Sequence, residues 1–187
     1  KNKKISDSIN YAQRIQSSLL PDTGFIQNFF PRSFIFYRPK DVVSGDFPWF
    51  LQKGDNIYVA AVDCTGHGVP GALLSFIGYF LLNNIVSADP DLSAAEITEQ
   101  LHQEVRKTLK QDQEGSKGRD GMDVAFCKIE PEKQILEYCG AHRPLFLLRE
   151  GELLEYQGTR KGIGGAPLPR KKEKLKMGKK DRKTNCQ

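Results

Sequence analysis

Apolar residues in the first twenty positions recur at helical spacing: Ile5, Ile9, Ala12, Ile15 and Leu19, with Lys, Asp, Gln and Arg between them. The stripe predicts an amphipathic helix over residues 1–20, ending before Pro21. It fits a helix packed on its own domain and equally a helix continuing an upstream coiled coil or sensor linker. From Ser33 the period shortens to two, with Phe34, Phe36 and Arg38 alternating against Ile35 and Tyr37, which predicts a strand. Strands over 46–51 and 56–63 follow, joined by a hairpin turn at Lys53-Gly54-Asp55. Val69-Pro70 opens a helix running to about Ala88, apolar nearly all round and therefore expected to be buried. Asp91 or Ser93 caps a second helix reaching about Gln111, with Ile97, Leu101, Val105 and Leu109 on one face.

Residues 113–121 are polar and glycine-bearing and read as a loop. Strands are then expected over 122–130, 134–140, 145–149 and 153–156, the last two joined by a turn at Glu150-Gly151. Strands, then two adjacent helices, then hairpin-linked strands do not make an alternating βαβ chain. The pattern predicts an α+β domain with antiparallel sheets.

Composition narrows the class without changing that picture. Of 187 residues, 39% are hydrophobic and 27% charged, ordinary for one globular domain with a real core. The apolar run over 73–86 is interrupted by Ser75, Gly78, Asn83 and Asn84, so no membrane insertion of this segment is expected. The lysine-rich start has no apolar stretch after it, unlike a signal peptide, and the lack of an initiating Met is expected of a piece of a longer chain. Cys64, Cys127, Cys139 and Cys186 form no zinc-like spacing with His67, His102 or His142; a reduced, cytoplasmic setting is expected. The net charge is +5, yet residues 170–183 hold nine Lys or Arg against two acids, a surplus of seven, leaving about −2 elsewhere. A basic tail of this kind is expected to be solvated and disordered, not a folded nucleic-acid face.

Two carboxylates stand at predicted strand ends: Asp46 in Val43-Ser44-Gly45-Asp46-Phe47, and Asp63 in Val62-Asp63-Cys64-Thr65-Gly66-His67-Gly68. Carboxylates converging from neighbouring strands repel, and a divalent ion removes that repulsion. Oxygen donors select a hard cation such as Mg²⁺ or Mn²⁺. Each signal alone also describes a turn or a cap. The glycine-rich loop also suits a phosphate site, but no G-K-[ST] follows it, so the nucleotide-binding alternative falls away.

In order along the chain, these segments resemble the SpoIIE-like branch of the PPM metal-dependent phosphatases. Tyr37-Arg38-Pro39 through Val43-Ser44-Gly45-Asp46-Phe47 resembles the opening motif, and Asp63 through Ala72 the D-x-x-G-H-G-x-x-A signature. Asp123-Val124-Ala125-Phe126 is similar to the central strand, Gly140-Ala141-His142-Arg143-Pro144 to the A-G-H-x-P segment, and Gly162 to Pro167 to a later glycine-rich turn.

The resemblance implies an antiparallel β-sandwich flanked by helices, incomplete at the C-terminus. It divides the chain into a linker helix (1–20), a PPM-type domain (21–169) and a basic tail (170–187). It implies a protein Ser/Thr phosphatase in which two Mn²⁺ or Mg²⁺ ions activate water, without a protein nucleophile. Asp46, Asp63 and the Cys64 backbone carbonyl match metal-ligand positions, with Asp63 the expected bridge. Asp123 and Asp120 read as ligands of a further weak site or as loop caps. His67 reads as a general acid or as a hydrogen-bonding loop residue, His142 as a turn residue or a catalyst, and Arg143 as a phosphate contact or an exposed arginine. Trp49 and Phe50 are expected in the core.

The implied partners are a phosphorylated signalling protein, such as an anti-sigma-factor antagonist, an upstream sensor or coiled-coil domain on the N-terminal helix, and a second copy in a homodimer. No nucleic acid is expected. The family's late [ST]-D-G and D-D motifs have no counterpart here, Asp181 being the only Asp after Asp123. That departure keeps a second expectation open, a catalytically inactive binding module.

Overall fold

Alternating apolar residues in the middle of the chain build an antiparallel sheet, and two helices cover one of its faces. The structure, a computed structural model, describes residues 2–114, 116, 118–165, 173–176 and 184–185. The elements run α1 (Asn2–Ser17), α2 (Thr23–Phe29), β1 (Phe47–Lys53), β2 (Asn56–Cys64), α3 (Gly68–Ala88), α4 (Ala94–Thr108), β3 (Gly121–Glu130), β4 (Ile135–Ala141), β5 (Leu145–Arg149), β6 (Glu152–Tyr156), β7 (Ile163–Gly164), β8 (Glu173–Lys176) and β9 (Thr184–Asn185). The larger sheet has the order β1-β2-β3-β4-β8-β9, with the short β7 on the end of β3, and β5-β6 form a second, two-stranded sheet. The α+β class and the antiparallel pairing expected from the sequence hold.

Period-two alternation sends Trp49, Tyr58, Val62, Met122, Val124 and Phe126 to the helix-covered face, where they meet Leu82, Val86, Ile97, Leu101 and Val105. Trp49 stacks on Phe126 and its indole N–H donates to Asn83 Oδ1 at 3.3 Å. Phe50, next along β1, faces the other way and is only half-buried, against Phe25 and Phe29 of α2. Ser93 and Glu96 close a capping box at the start of α4.

Four expectations need correction. The run over 33–38 is extended but pairs with no described strand, and Phe34 and Phe36 are each 84% exposed. Its alternation satisfies a strand's side-chain pattern, yet no neighbouring backbone completes a ladder. The helix α2 was not expected; Asp22 caps it by accepting from the Gly24 N–H at 2.7 Å. Helix α3 is buried on one face only, since Val69, Leu73 and Phe80 are exposed. By length and composition alone it could also cross a membrane, but here that face lies on the sheet and α4. Finally, part of the basic tail extends the sheet, with β8 along β4 and β9 along β8; the rest of the disorder expected for 170–187 lies outside the described residues.

A buried lysine ties the helical layer to the sheet. Lys128 is 4% exposed, and its Nζ donates to the carbonyls of Pro90, Asp91 and Leu92 at 3.0, 3.3 and 2.9 Å, clamping the α3–α4 turn to β3. Lys128→Met would keep the aliphatic stem but remove the shared donor of three carbonyls, of which Pro90 keeps another, the Tyr58 hydroxyl at 2.6 Å. We expect a loss of about 3 kcal/mol, read as a melting point roughly 6–12 °C lower. An unchanged melting point would show that water replaces the ammonium there.

Candidate metal centre

Sheet register, more than loop geometry, brings the acidic residues together. The β1–β2 ladder pairs Phe47 with Val62, so one step further Asp46 comes level with Asp63. On the other side of β2, Asp63 pairs directly with Asp123 on β3. Cross-strand partners share a face, and this is the face away from α3 and α4. Asp46, Asp63 and Asp123 therefore form a row across three strands at one end of the sheet.

Backbone packing makes the row possible. A Cβ on Gly71 would lie 2.7 Å from the Gly66 carbonyl oxygen and 3.0 Å from Gly45 Cα. A Cβ on Gly45 would lie 3.2 Å from the Cys64 carbonyl oxygen. The loops carrying Asp46 and Asp63 thus stack backbone on backbone. Thr65 fastens the second loop to β3: its N–H donates to the Gly121 carbonyl at 2.9 Å, and its Oγ1 accepts from the Gly121 N–H at 3.0 Å.

The electrostatics are those of crowded carboxylates with one strong cation. Partial burial, hydrogen bonding to the Asp63 carboxyl and the charge on Asp63 raise the Asp46 pKa to about 6, against the lowering effect of Arg143. Arg143 Nη2 pairs with Asp63 Oδ2 and lies 3.5 Å from Asp123 Oδ2. His142 Nδ1 sits 2.8 Å from Asp123 Oδ1. Burial alone would lower the His142 pKa, but hydrogen bonds to Asp123 and the Arg160 backbone, with the Asp123 charge, raise it. Burial, Asp63 and Asp46 push the Cys64 thiol up to about 12, so it stays protonated and is no nucleophile at neutral pH.

His67 is the N-cap residue of α3, with Nδ1 2.9 Å from Asp41 Oδ2. Asp120 lies in the loop before β3, where its carbonyl accepts from Gln111 Nε2 at 2.6 Å. Two contacts had no clear trace in the sequence. One is the Asp41 carboxylate on His67. The other is Gln16, buried at the end of α1, whose Nε2 donates to the Ser44 carbonyl at 2.6 Å and to Ser75 Oγ at 2.9 Å. Gln16 Oε1 in turn accepts from the Ser44 N–H at 2.9 Å. The faint signal for Gln16 was its place on the Ala12–Leu19 side of the stripe, where a polar residue needs a partner.

A family model for Stage II sporulation protein E matches residues 53–182, well over half of the chain. The chain belongs to the SpoIIE family. Among solved structures, this SpoIIE-family chain is similar to the SiaA-PP2C domain of Pseudomonas aeruginosa. The two share 29% identity at a TM-score of 0.82, over 95% of this chain and 69% of that one. It is similar at 20% identity and a TM-score of 0.59 to the RsbU and RsbW domains of a Mycobacterium tuberculosis protein, over 76% of this chain and 38% of that one. RsbX, solved in complex with magnesium, matches at 19% identity and a TM-score of 0.55, over 73% and 62% of the two chains. The latter two share the fold. No curated protein sequence matches. Family and fold are those of PP2C-type phosphatase domains.

The donor set suits a hard divalent cation in part. Asp46 and Asp63 offer carboxylate oxygens, and burial first, then the neighbouring Asp63, raises the Asp46 pKa. Among the described residues, however, no group of three or more His, Cys, Asp or Glu side chains is placed to hold an ion. Asp123 is engaged by His142 and Arg143. Asp46 and Asp63 alone would leave most positions of a single divalent ion to backbone carbonyl and water.

Proposed function

We propose that the chain is the catalytic domain of a metal-dependent protein phosphatase acting on phosphoserine or phosphothreonine. The observation that carries this reading is the placement of Asp46 and Asp63 side by side at adjacent strand ends, with Asp46 raised to about 6. Asp46, Asp63 and the Cys64 carbonyl would hold Mn²⁺ or Mg²⁺, with Asp63 central. The chemistry such a cation would supply is an activated water and stabilisation of charge on the phosphoryl oxygens. Asp63, held in β2, would fix such a cation relative to the sheet. Asp46 must be deprotonated to take part. In this reading His67, hydrogen-bonded to Asp41, would hand a proton to the departing serine or threonine oxygen. The protonated Cys64 thiol takes no covalent part. The protein substrate, a signalling role and a cytoplasmic setting belong to the same proposal.

The test is hydrolysis of a phosphoserine peptide with Mn²⁺, with Mg²⁺ and with EDTA. Turnover that requires the metal is the expected result; turnover that persists in EDTA would sink the mechanism. The two-carboxylate donor set also favours a second reading, a module that binds phosphopeptide without turning it over. Peptide binding by a folded chain with no hydrolysis under any metal would select it.

Proton competition gives a sharper check. Below about pH 6 a proton on Asp46 opposes metal binding, so Mn²⁺ affinity should fall by up to about tenfold per pH unit and level off above that value. Calorimetric titrations between pH 5 and 8 measure this, and a flat affinity across that range would remove Asp46 from the ligand set. The sign for stability runs the other way. A carboxyl whose pKa is raised on folding favours the metal-free fold at low pH, and that contribution fades as pH rises from about 4 through 6.

Helix α1 would offer an upstream sensor, if one acts on this chain, a route to the centre. Ile5 and Ile15 are exposed, so much of the stripe is uncovered, while Gln16 grips both backbone groups of Ser44, two residues before Asp46. Ser44 Oγ in turn accepts from the Asp46 N–H at 3.0 Å. Gln16→Ala is expected to weaken Mn²⁺ binding about tenfold by freeing this loop, with modest loss of stability. Unchanged Mn²⁺ affinity in the variant would break the proposed link between α1 and the centre.

A further inference from the structure

We propose that Arg143 is an exchangeable counter-ion of this centre, seated on Asp63 and Asp123 while no metal is bound and freed to grip a phosphoryl group when a divalent cation takes Asp63. The inference rests on the metal reading above and deepens it. It starts from charge. Asp46, Asp63 and Asp123 share one end of the sheet, and Arg143 spans two of them, pairing with Asp63 and lying 3.5 Å from Asp123. A guanidinium and a divalent cation cannot both sit on the Asp63 carboxylate without repelling each other. A metal that takes the Asp63 Oδ2 now held by Arg143 displaces it.

The surrounding backbone makes a side-chain swing the economical response. The loop carrying Arg143 is pinned on several sides. Tyr138 Oη donates to the Arg143 carbonyl, the His142 N–H donates to Thr159 O at 2.9 Å, and the Thr159 N–H donates to Gly140 O at 2.8 Å. A Cβ on Gly158 would lie only 2.6 Å from the Arg143 carbonyl oxygen, so the segment after β6 presses directly on the loop. His142 holds a left-handed φ of +60°, and Pro144 follows with its own φ fixed. The Arg143 side chain is nonetheless 45% exposed, so turning off Asp63 uncovers little buried surface. Once turned, its planar fork remains at the mouth of the centre, with the geometry that suits two phosphoryl oxygens at once.

Calorimetric titration of the metal-free protein with Mn²⁺ tests the first half, using wild type, Arg143→Gln and Asp63→Asn, each checked for an intact melt. Arg143→Gln should bind Mn²⁺ about tenfold more tightly than wild type, because the metal no longer displaces an internal cation. Titration of the Mn²⁺-loaded proteins with inorganic phosphate tests the second half, and Arg143→Gln should bind it about tenfold more weakly. Arg143→Lys keeps the charge without the fork, so it should retain wild-type Mn²⁺ affinity yet share the phosphate defect; it also serves if the Gln variant fails to fold. Equal or weaker Mn²⁺ binding by Arg143→Gln overturns the exchange, and equal phosphate binding overturns the second role. A wild type that binds no Mn²⁺ brings down the metal reading and this inference together. Binding abolished in Asp63→Asn but untouched in Arg143→Gln overturns the inference alone.

Discussion

Asp63→Asn is expected to abolish metal-dependent turnover, by about three orders of magnitude or more, while leaving the protein folded. The size follows from what the carboxylate does. Asp63 lies between Asp46 and Asp123 in the row, so it is the residue through which one cation would be fixed to the sheet. Lewis-acid stabilisation and water activation are worth several kcal/mol, and each 1.4 kcal/mol or so is tenfold in rate. Asparagine keeps the shape and one neutral oxygen but removes the charge that binds a hard cation. The fold should survive because Asp63 is half exposed and its pairing with Arg143 is a partly solvated ion pair. Turnover and Mn²⁺ binding are measured on the same preparation as the melting curve. Loss of activity with normal Mn²⁺ affinity would make Asp63 a substrate-positioning residue; residual turnover within tenfold of wild type would place the centre elsewhere.

The sheet was legible in the sequence because its strands alternate cleanly and turn at Gly54-Asp55 and Glu150-Gly151, the latter with positive φ at both residues. That register carried the site with it. Once β1, β2 and β3 are paired, Asp46, Asp63 and Asp123 have no choice of neighbour. What stayed hidden depends on contacts between residues far apart in sequence. Nothing local in Gln16 announces that both ends of its amide would meet Ser44, 28 residues away. Arg143 was read as exposed or as a phosphate contact, and it is half exposed while pairing across 80 residues with Asp63. The run over 33–38 shows the opposite failure, a strand pattern without a strand to pair with. Side-chain alternation specifies a face, whereas a strand also requires a neighbouring backbone. Helix α3 was misjudged because composition reports how apolar a helix is and cannot report which faces find a partner.

Gly71→Ala should destabilise the protein and cut its Mn²⁺ affinity sharply, although helix propensity alone points the other way. Gly71 lies in the first turn of α3, and replacing glycine by alanine in a helix gains up to about 1 kcal/mol. The new Cβ would sit 2.7 Å from Gly66 O, 3.0 Å from Gly45 Cα and 3.2 Å from Gly45 N. All three atoms are backbone, so no side chain can turn aside and the stacked loops must part. Forced repacking of this kind costs about 1–3 kcal/mol, and here it should exceed the propensity gain. The displaced segments are those that carry Asp46 and the Cys64 carbonyl, so metal binding should suffer beyond what stability explains. Gly78→Ala on the same helix is the control. Its Cβ would approach Met122 Sδ at 3.0 Å, Met122 Cε at 3.1 Å and Phe47 Cζ at 3.2 Å, all far ends of side chains and none of them backbone. That variant should keep wild-type Mn²⁺ affinity within about twofold, whereas Gly71→Ala should lose at least about tenfold. Equal affinities in the two variants would show that the close approach of the Gly45 and Gly66 loops does not build the centre.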